Sequence, residues 1–350
     1  MQNIVFNTER PYTAFIGSGA SILLSERVRL DIPGAVAAIV TDSGVPTEHV
    51  ELVRRAVLAA GKAAPVFVLP CGERNKNAAR LMELYGFLYD SGLTRDCGVI
   101  AVGGGMAGDM AGFAASTYLR GVAFINVPTT VISQTDSAYG GKTGIDLGEG
   151  KNHIGSFYQP ASVVCDTDLL RTLTKAQRLC GMGEVIKYGA IACPALLDRV
   201  VSSGDELPGE AVIAQCVDIK RRFTEADPFD RGERRILNFG HTIGHAVEAA
   251  SGYTIPHGQA VAYGMLAACS VGMRLGVTAP AAGERISSAC RAAGLDTEWR
   301  PMLGDALPLV ARDKKADSES VDFILLREIG RPFRMKLELK TVSELLSDQR

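Results

Sequence analysis

Short apolar runs alternate with amphipathic stretches along the first half of the chain. Apolar runs rich in β-branched residues are typical of buried strands, whereas apolar residues recurring every three to four positions are typical of helices. The predicted strands lie at 4–6, 12–16, 36–40, 66–69, 98–102, 123–127 and 162–165. Amphipathic stretches at 47–60 and 77–90 separate some of these runs. The alternation predicts an α/β domain whose parallel sheet is covered on both faces.

The pattern changes to helices from about residue 168. Helical periodicity is present at 174–189, 210–225, 233–250, 258–275 and 279–293, with breaks at Pro194, Pro208 and Pro228. One short strand is predicted at 322–326. A chain of 350 residues is long enough for two cores. We therefore expect an α/β domain at 1–170 and a mainly α-helical domain at 171–350.

Composition narrows the function classes. Hydrophobic residues make up 47%, charged residues 22%, and the net charge is −2, so a nucleic-acid binder that depends on bulk positive charge is excluded. No apolar run approaches ~18 residues, and the first residues lack the pattern of a signal peptide. The eight cysteines form no CxxC pair, which favours reduced, buried thiols. A cytoplasmic protein with no membrane partner is expected.

Histidines are clustered. The chain has five, and three of them are His241, His245 and His257. Residues at i and i+4 share one helix face, which suits imidazoles that bind or flank a metal. A divalent ion also needs an anionic ligand, and Glu184, in an apolar helical stretch, is the best candidate. Histidines that merely satisfy their bonds in a core would give the same composition, but the clustering favours a metal site.

A glycine-rich segment follows the predicted strand at 98–102. GGGMAGD at 103–109 fits the G-x-G-x-x-G pattern, in which glycines let the backbone approach a pyrophosphate at a helix N-terminus. The acidic residue expected ~20 positions later is absent, because Pro128 stands there. Asp42 and Glu73 follow other strands and could take ribose hydroxyls. A plain glycine turn among solvated charges remains the alternative.

Lysines beside glycines suggest phosphate binding further along. Lys142 follows two glycines, and Lys151 and Asn152 follow another, so an ammonium and an amide could reach oxyanions there. A P-loop is excluded because Asp136 occupies the place of its first glycine. A dinucleotide, a metal and several cationic side chains together indicate hydride chemistry on a hydroxylated, negatively charged substrate.

Nine motifs together resemble the 3-dehydroquinate synthase family of the shikimate pathway. The resemblance is collinear from about 40 to 330. The motifs are GGGMAGD at 103–109, YLRG at 118–121, VPTT at 127–130, GGKT at 140–143, GKN at 150–152, YQP at 158–160, EVIKYG at 184–189, LNFGHTIGH at 237–245 and DKK at 313–315.

The resemblance implies a fold and a set of site residues. The fold is a Rossmann-like, NAD-binding α/β domain followed by a mainly α-helical metal- and substrate-binding domain. A Zn²⁺ or Co²⁺ ion is implied at Glu184, His241 and His257, with His245 beside it as an acid/base or substrate contact. Implied NAD contacts are Asp42, Glu73, Lys76, Gly104, Gly105, Asp109, Thr129, Thr130, Lys151 and Thr172. Implied substrate contacts are Lys142, Asn152, Lys187, Lys220, Arg234, Asn238, Asp136, Lys315 and Arg120, the last reaching a partner subunit's site in a homodimer.

The implied reaction converts 3-deoxy-D-arabino-heptulosonate 7-phosphate to 3-dehydroquinate. In this family NAD⁺ oxidises the C5 alcohol, phosphate leaves by β-elimination, the ketone is reduced again, and the opened ring closes by an aldol step. NAD is recycled, so the net reaction is that of a carbon–oxygen lyase.

Three positions depart from the usual pattern of the family. Gly44 stands where Asn is common, which affects an expected adenosine contact. Gly183 replaces a more usual Ala, a packing change. Gln259 replaces a usual Glu, from which we expect less negative charge beside the metal and altered metal affinity.

Other functions fit part of the pattern. Metal-dependent alcohol and glycerol dehydrogenases share the fold class, but an uncharged polyol would not require Arg234, Lys220 and Asn152. Cyclitol synthases act on substrates without a carboxylate, which Arg234 and Lys220 argue against. An aminodehydroquinate-type synthase stays open. A non-catalytic relative would have lost metal ligands, and all three implied ligands are present.

Overall fold

The computed structural model describes residues 1–148, 150–310 and 320–347. The strands are β1 Gln2–Phe6, β2 Tyr12–Gly17, β3 Ala37–Asp42, β4 Val66–Leu69, β5 Gly98–Gly103, β6 Ala123–Pro128, β7 Lys142–Leu147, β8 Gly150–Phe157, β9 Ser162–Asp166, β10 Ser320–Leu326 and β11 Pro332–Glu338. The helices are α1 Leu24–Asp31, α2 Thr47–Ala59, α3 Ala78–Asp90, α4 Gly105–Thr117, α5 Lys175–Ala192, α6 Pro194–Ser203, α7 Glu210–Ala226, α8 His241–Ala250, α9 His257–Arg274, α10 Pro280–Ala293, α11 Leu303–Val310 and α12 Leu339–Ser347.

The chain divides into two compact units. The first comprises Met1–Leu173 with Pro208–Phe229, and the second comprises Thr174–Leu207 with Asp230–Arg350. Helix α7 therefore groups with the α/β unit, although it follows two helices of the other unit in sequence. The division into domains at residue 170 stays a prediction.

The first unit is built on a mostly parallel sheet. Among the described residues its strand order is β1-β2-β9-β6-β5-β3-β4, and β1 pairs antiparallel with β2 while the other pairs are parallel. All seven strands predicted from the sequence are present in this sheet. The Rossmann-like α/β prediction is confirmed.

Alternate residues of the central strands enter different cores. Ile39 and Ile100 pack with α1 and α2 on one face of the sheet. Val40 and Val99 pack with α3 and α4 on the other face. Because side chains of a strand alternate between faces, a strand buried on both sides needs a continuous apolar run. That requirement is why these strands were visible in the sequence.

The chain reverses direction across the sheet between β3 and β5. From β3 it adds β4 on one side, and from β5 it adds β6 on the opposite side. Neighbouring strands whose connections leave in opposite directions open a crevice at their carboxyl ends, where α/β proteins bind ligands. Asp42 ends β3 and Gly103 ends β5, so both lie at this crevice.

Strands β7 and β8 form an antiparallel hairpin, in a region where the sequence predicts no strand. Both strands are partly exposed and rich in Gly, Lys and Asn, so the alternation of apolar and polar residues is weak. The hairpin carries Lys142, Lys151 and Asn152, which makes it part of the predicted site.

The second unit is mainly helical. Helix α5 begins with a capping box of Thr174 and Gln177, and α8 and α9 pack against each other. Strands β10 and β11 form an antiparallel pair, of which only β10 was predicted. None of the helices in the described parts of the chain is long and apolar enough to cross a membrane.

The helix predicted at 233–250 is wrong in its first half. The structure has a 3-10 turn at Glu233–Asn238, and α8 begins only at His241. Gly240 between them has φ +81°, and a Cβ there would meet the Val261 carbonyl oxygen at 2.9 Å. Gly240 can adopt this left-handed conformation and pack closely against α9 because it has no side chain. It therefore separates the 3-10 turn from α8. The break makes His241 the first residue of α8.

Candidate functional site

Glu184, His241 and His257 meet in the second unit. Glu184 comes from the middle of α5, whereas His241 and His257 are the first residues of α8 and α9. Glu184 Oε1 lies 3.3 Å from His241 Nε2 and 3.2 Å from His257 Nε2. Two ligands of a tetrahedral Zn²⁺ with bonds of ~2.1 Å stand about 3.4 Å apart. Both distances from Glu184 Oε1 match that value, and the ligand atoms of all three residues lie within 4.8 Å of one another, close enough to share one ion.

The ring nitrogens that face away from this centre have acceptors of their own. His257 Nδ1 lies 3.2 Å from Glu248 Oε2, and His241 Nδ1 lies 3.2 Å from the Phe239 carbonyl oxygen. Such contacts fix ring orientation and leave Nε2 to the metal, as in carboxylate–histidine–zinc arrangements. The three donor residues, together with the acceptors that orient the two imidazole rings, thus fit a divalent ion.

Glu248 was missed by the sequence analysis. It stands seven residues after His241 and three after His245, so it shares the helix face of both histidines. An acidic residue at that spacing in a largely apolar helical stretch was the signal that could have found it. Glu248 is 3% exposed.

Neighbouring positive charge keeps the Glu184 carboxylate ionised, the form that binds a cation. Burial opposes ionisation of Glu184, but Lys187, in contact with its Oε2, and His241 hold the pKa of Glu184 well below its usual value. Burial lowers the pKa of His257, yet the bonds to Glu184 and Glu248 outweigh it and raise this pKa to about 10. Since imidazole ligates a metal only when neutral, metal binding would release the His257 proton.

A glycine contact sets the approach of α5 to α9. A Cβ on Gly183 would meet the Gly258 carbonyl oxygen at 2.3 Å, and a Cβ on Gly258 would meet the Cys180 carbonyl oxygen at 1.8 Å. Neither position can hold a side chain at this separation. Because Gly183 and Gly258 directly adjoin Glu184 and His257, the glycine contact brings these two ligands together.

A cavity of about 520 Å³ opens beside the histidines. Asn238, His241 and His245 line it, together with Arg235 and Asp322 from the 3-10 turn and β10. Arg235 Nη1 donates to Asp322 Oδ2 at 2.7 Å, which ties the turn to the strand. Arg234, the neighbouring residue, is 1% exposed. His245 lies one turn after His241, with ring centroids 5.2 Å apart.

The predicted nucleotide residues converge at the crevice of the first unit. A Cβ on Gly103 would lie 3.4 Å from Asp42 Oδ2, so the end of β5 touches the carboxylate that ends β3. Burial raises the pKa of Asp42, opposed by the bond from Gly44 N. A Cβ on Gly44, one of the departures from the family pattern, would lie 3.0 Å from Asp42 Oδ1.

The glycine run leaves the start of α4 bare. Gly104 is the N-cap and provides no side-chain acceptor for the first N–H groups of the helix. A Cβ on Gly104 would meet Thr130 at 3.2 Å, and one on Gly105 would meet Ser137 Oγ at 3.3 Å. Thr129 N donates to the Gly103 carbonyl oxygen at 2.9 Å. An uncapped, glycine-lined helix N-terminus fits a pyrophosphate.

Lys76 is buried among polar groups at the crevice. Its Nζ lies 2.6 Å from Asp109 Oδ2 and 3.8 Å from Glu73 Oε1, and it donates to Asn152 Oδ1. Burial lowers the pKa of Lys76, but the charges of Asp109 and Glu73 raise it overall. Two predicted NAD contacts and one predicted substrate contact therefore meet at a single ammonium.

The remaining predicted residues include one bonded pair. Lys220 on α7 donates to Asp136 at both the carbonyl oxygen, 2.7 Å, and Oδ1, 2.8 Å. Thr172 ends a 3-10 turn after β9, where its hydroxyl donates to the Leu169 carbonyl oxygen. Arg120 is exposed and has φ +67°. Lys315 lies outside the described residues.

Gln259 does not take the place we expected beside the metal. Its Nε2 donates to the Asp296 carbonyl oxygen at 2.8 Å, and its Oε1 accepts from Asp296 N at 2.9 Å. The carboxylate against His257 belongs to Glu248. Gln259 thus bonds α9 to the loop after α10. Our expectation that Gln259 reduces the negative charge beside the metal is therefore wrong.

Family models match most of the chain. The model described as 3-dehydroquinate synthase N-terminal matches residues 66–179, and that described as 3-dehydroquinate synthase C-terminal matches residues 181–316.

Individual proteins show the same similarity. A 3-dehydroquinate synthase of Streptococcus sanguinis is 40% identical over 316 residues, covering 88% of this chain and 89% of that protein. One of Thermoanaerobacter pseudethanolicus is 37% identical over 344 residues, covering 96% and 95%. A crystal structure of 2-deoxy-scyllo-inosose synthase complexed with carbaglucose-6-phosphate, NAD⁺ and Co²⁺ has a TM-score of 0.86 at 24% identity, covering 99% and 98%. This last likeness concerns the fold.

Proposed function

The chain belongs to the 3-dehydroquinate synthase family, and from that premise we propose that it converts 3-deoxy-D-arabino-heptulosonate 7-phosphate to 3-dehydroquinate and phosphate. The activity is a carbon–oxygen lyase reaction of the shikimate pathway, which leads to aromatic amino acids. The observation that carries the proposal is the trio of Glu184, His241 and His257, whose ligand atoms lie within 4.8 Å of one another in a chain of this family.

We propose NAD and Zn²⁺, or Co²⁺, as cofactors. Glu184, His241 and His257 would hold the metal, and the bare start of α4 with Asp42 would hold the dinucleotide. When bound, the metal lowers the pKa of a substrate hydroxyl, and NAD accepts and later returns a hydride. His245 lies one helical turn from His241 and lines the cavity, so it is suited to hold or move a proton there.

Cationic side chains would bind and orient the substrate. Arg234 and Lys187 are both almost fully buried in the second unit, where a charged partner is not screened by water. A guanidinium binds a carboxylate through two parallel bonds, which fixes its orientation. In the first unit, Lys142 and Asn152 are suited to phosphate. Negatively charged groups on the substrate explain the cationic side chains of each unit better than an uncharged polyol does.

The test supplies the heptulosonate 7-phosphate, Zn²⁺ and NAD⁺ at the enzyme concentration. We expect many equivalents of phosphate and dehydroquinate per NAD⁺, without accumulation of NADH, because the cofactor is recycled. Parallel reactions with glycerol, with glucose 6-phosphate and with the amino analogue of the substrate separate the rival activities. Steady NADH formation with glycerol, or preference for the amino analogue, would contradict the proposal.

We also propose a cytoplasmic homodimer in which Arg120 completes the partner's site. Arg120 and Leu119 have φ values of +67° and +49°, and both side chains are exposed. Non-glycine residues held in this region are enriched where function demands it. Co-expression of Arg120→Ala with His245→Ala tests the idea, because a mixed dimer regains one intact site only if Arg120 acts across the interface. Inactive mixed dimers would show that it does not.

A further inference from the structure

We propose that Lys76 is a positioning residue that ties the β7–β8 hairpin to the nucleotide crevice, so that bound NAD orders Asn152 for the substrate. The inference rests on the proposed NAD-dependent function. The resemblance to the family assigns Lys76 to the cofactor alone. In the structure, however, Lys76 contacts both Asp109 at the crevice and Asn152 in the β7–β8 hairpin.

Lys76 contacts both strands of the hairpin. Its carbonyl oxygen accepts from Asp146 N of β7 at 2.8 Å, and its ammonium donates to Asn152 Oδ1 of β8. Asp146 Oδ1 in turn accepts from Asn152 N at 2.7 Å. These three residues form a closed ring of hydrogen bonds, and a ring of this kind holds the hairpin at one point of the first unit.

The same ammonium is anchored in the crevice. Lys76 Nζ lies 2.6 Å from Asp109 Oδ2, and Asp109 is on α4, four residues after Gly105 at the helix start. Lys76 is only 3% exposed, so water does not replace a lost partner easily. Anything that fixes the ammonium beside α4 therefore also fixes the amide of Asn152.

Asn152 needs such an anchor because its backbone is unfavourable. Its φ is +54°, in the left-handed region, where Asn is tolerated better than most residues but still at some cost. The bonds from Lys76 and to Asp146 compensate for that conformation. Without them the hairpin would favour other backbone conformations, and the Asn152 side chain would lose its orientation.

Bound NAD would favour the anchored state through charge. A pyrophosphate at the start of α4 adds negative charge near the ammonium, which strengthens the hold on Lys76 in the crevice. A ligand shifts an equilibrium only by its different interaction with the two states, and the ammonium beside α4 supplies that difference. Cofactor binding and substrate positioning are thereby coupled through one side chain.

Hydrogen exchange followed by mass spectrometry tests this coupling in the full chain with Zn²⁺. We expect NAD to slow exchange of hairpin peptides spanning 142–157 about fivefold or more, the lower end of ordinary coupling between sites. Lys76→Met should bind NAD without that protection. Lys62→Met serves as the matched control, because Lys62 bonds to the Gly34 carbonyl oxygen instead. Unchanged or faster hairpin exchange in wild type with NAD bound would overturn the inference.

A second pair of variants covers the case in which Lys76→Met fails to fold or to bind NAD. Asn152→Gly tolerates the left-handed backbone but removes the acceptor, whereas Asn152→Asp tolerates it and keeps the acceptor. Both retain Lys76 beside Asp109. NAD-dependent protection should be lost in the first and kept in the second, and its persistence in Asn152→Gly would overturn the inference. A wild-type chain that binds no NAD in calorimetry would instead contradict the proposed function.

Discussion

Replacing Glu248 with Gln tests whether a buried carboxylate supports the metal centre through His257. Glu248 Oε2 lies 3.2 Å from His257 Nδ1, on the side of the ring opposite Glu184. Glutamine has almost the same volume and keeps an acceptor oxygen, but it removes the charge. The substitution therefore changes the basicity of the ligand with little change in packing.

The expected loss follows from the contact. Substituting a group that orients a metal-bound histidine typically lowers metal affinity about 10- to 100-fold, or about 1.4–2.7 kcal/mol. Glu248→Gln should lie near the lower limit, because its oxygen can still accept from Nδ1. Glu248→Ala should approach the upper limit, because Glu248 is 3% exposed and water cannot take its place. Removal of the anion also takes away one cause that raises the pKa of His257 to about 10.

Because the pKa of His257 is raised to about 10, the loss of metal affinity depends on pH. At neutral pH a proton competes with the metal for His257 more strongly in wild type than in the variant, which offsets part of the lost affinity. As the pH rises towards the wild-type pKa, this offset shrinks. The difference between wild type and Glu248→Gln should therefore be larger at about pH 8.5 than at about pH 7.

Competition with a chromophoric chelator measures Zn²⁺ or Co²⁺ affinity independently of turnover. Glu284→Gln on α10 is the control, because Glu284 is exposed in the same unit and should bind metal as wild type does. Circular dichroism confirms that each variant is folded. If Glu248→Gln bound metal as tightly as wild type at the higher pH, Glu248 would have no role in supporting His257.

Other changes test the rest of the site. Chelation should abolish phosphate release and added Zn²⁺ or Co²⁺ should restore it; phosphate release that persists in the fully metal-free chain would refute a metal-dependent reaction. Arg234→Met should raise KM for the carboxylated heptulosonate about 10- to 100-fold, because a charged bond is lost. Arg285→Met should change it far less, since Arg285 is 42% exposed and paired with Asp198 on the surface; equal effects would refute the distinction. Gly183→Ala should lower the free energy of unfolding by about 1–3 kcal/mol in a thermal denaturation experiment, because its Cβ would meet the Gly258 carbonyl oxygen at 2.3 Å. Gly283→Ala, with its nearest contact at 3.5 Å, should not.

The central strands, which are buried on both faces, were predictable, whereas the partly exposed β7–β8 hairpin was not. The sheet of the first unit was visible because its strands are continuous apolar runs flanked by amphipathic helices. The β7–β8 hairpin was missed because its partly exposed residues need no apolar pattern. The helix predicted at 233–250 failed at Gly240, whose left-handed backbone is set by packing against α9. Periodicity reports burial, and it does not report where a glycine is forced into a turn.

By itself the sequence determined the chemistry available to this protein. Three clustered histidines, an acidic residue in an apolar helix and a glycine run after a strand specify which ligands can be bound, because those residue types have few other uses at such spacing. Only the tertiary structure decided how they are supported. Glu248 faces His257, Gln259 is bonded to Asp296, and Lys76 joins Asp109 to Asn152. Such contacts depend on distances of a few ångströms between elements far apart in sequence, and local patterns carry no information about those distances.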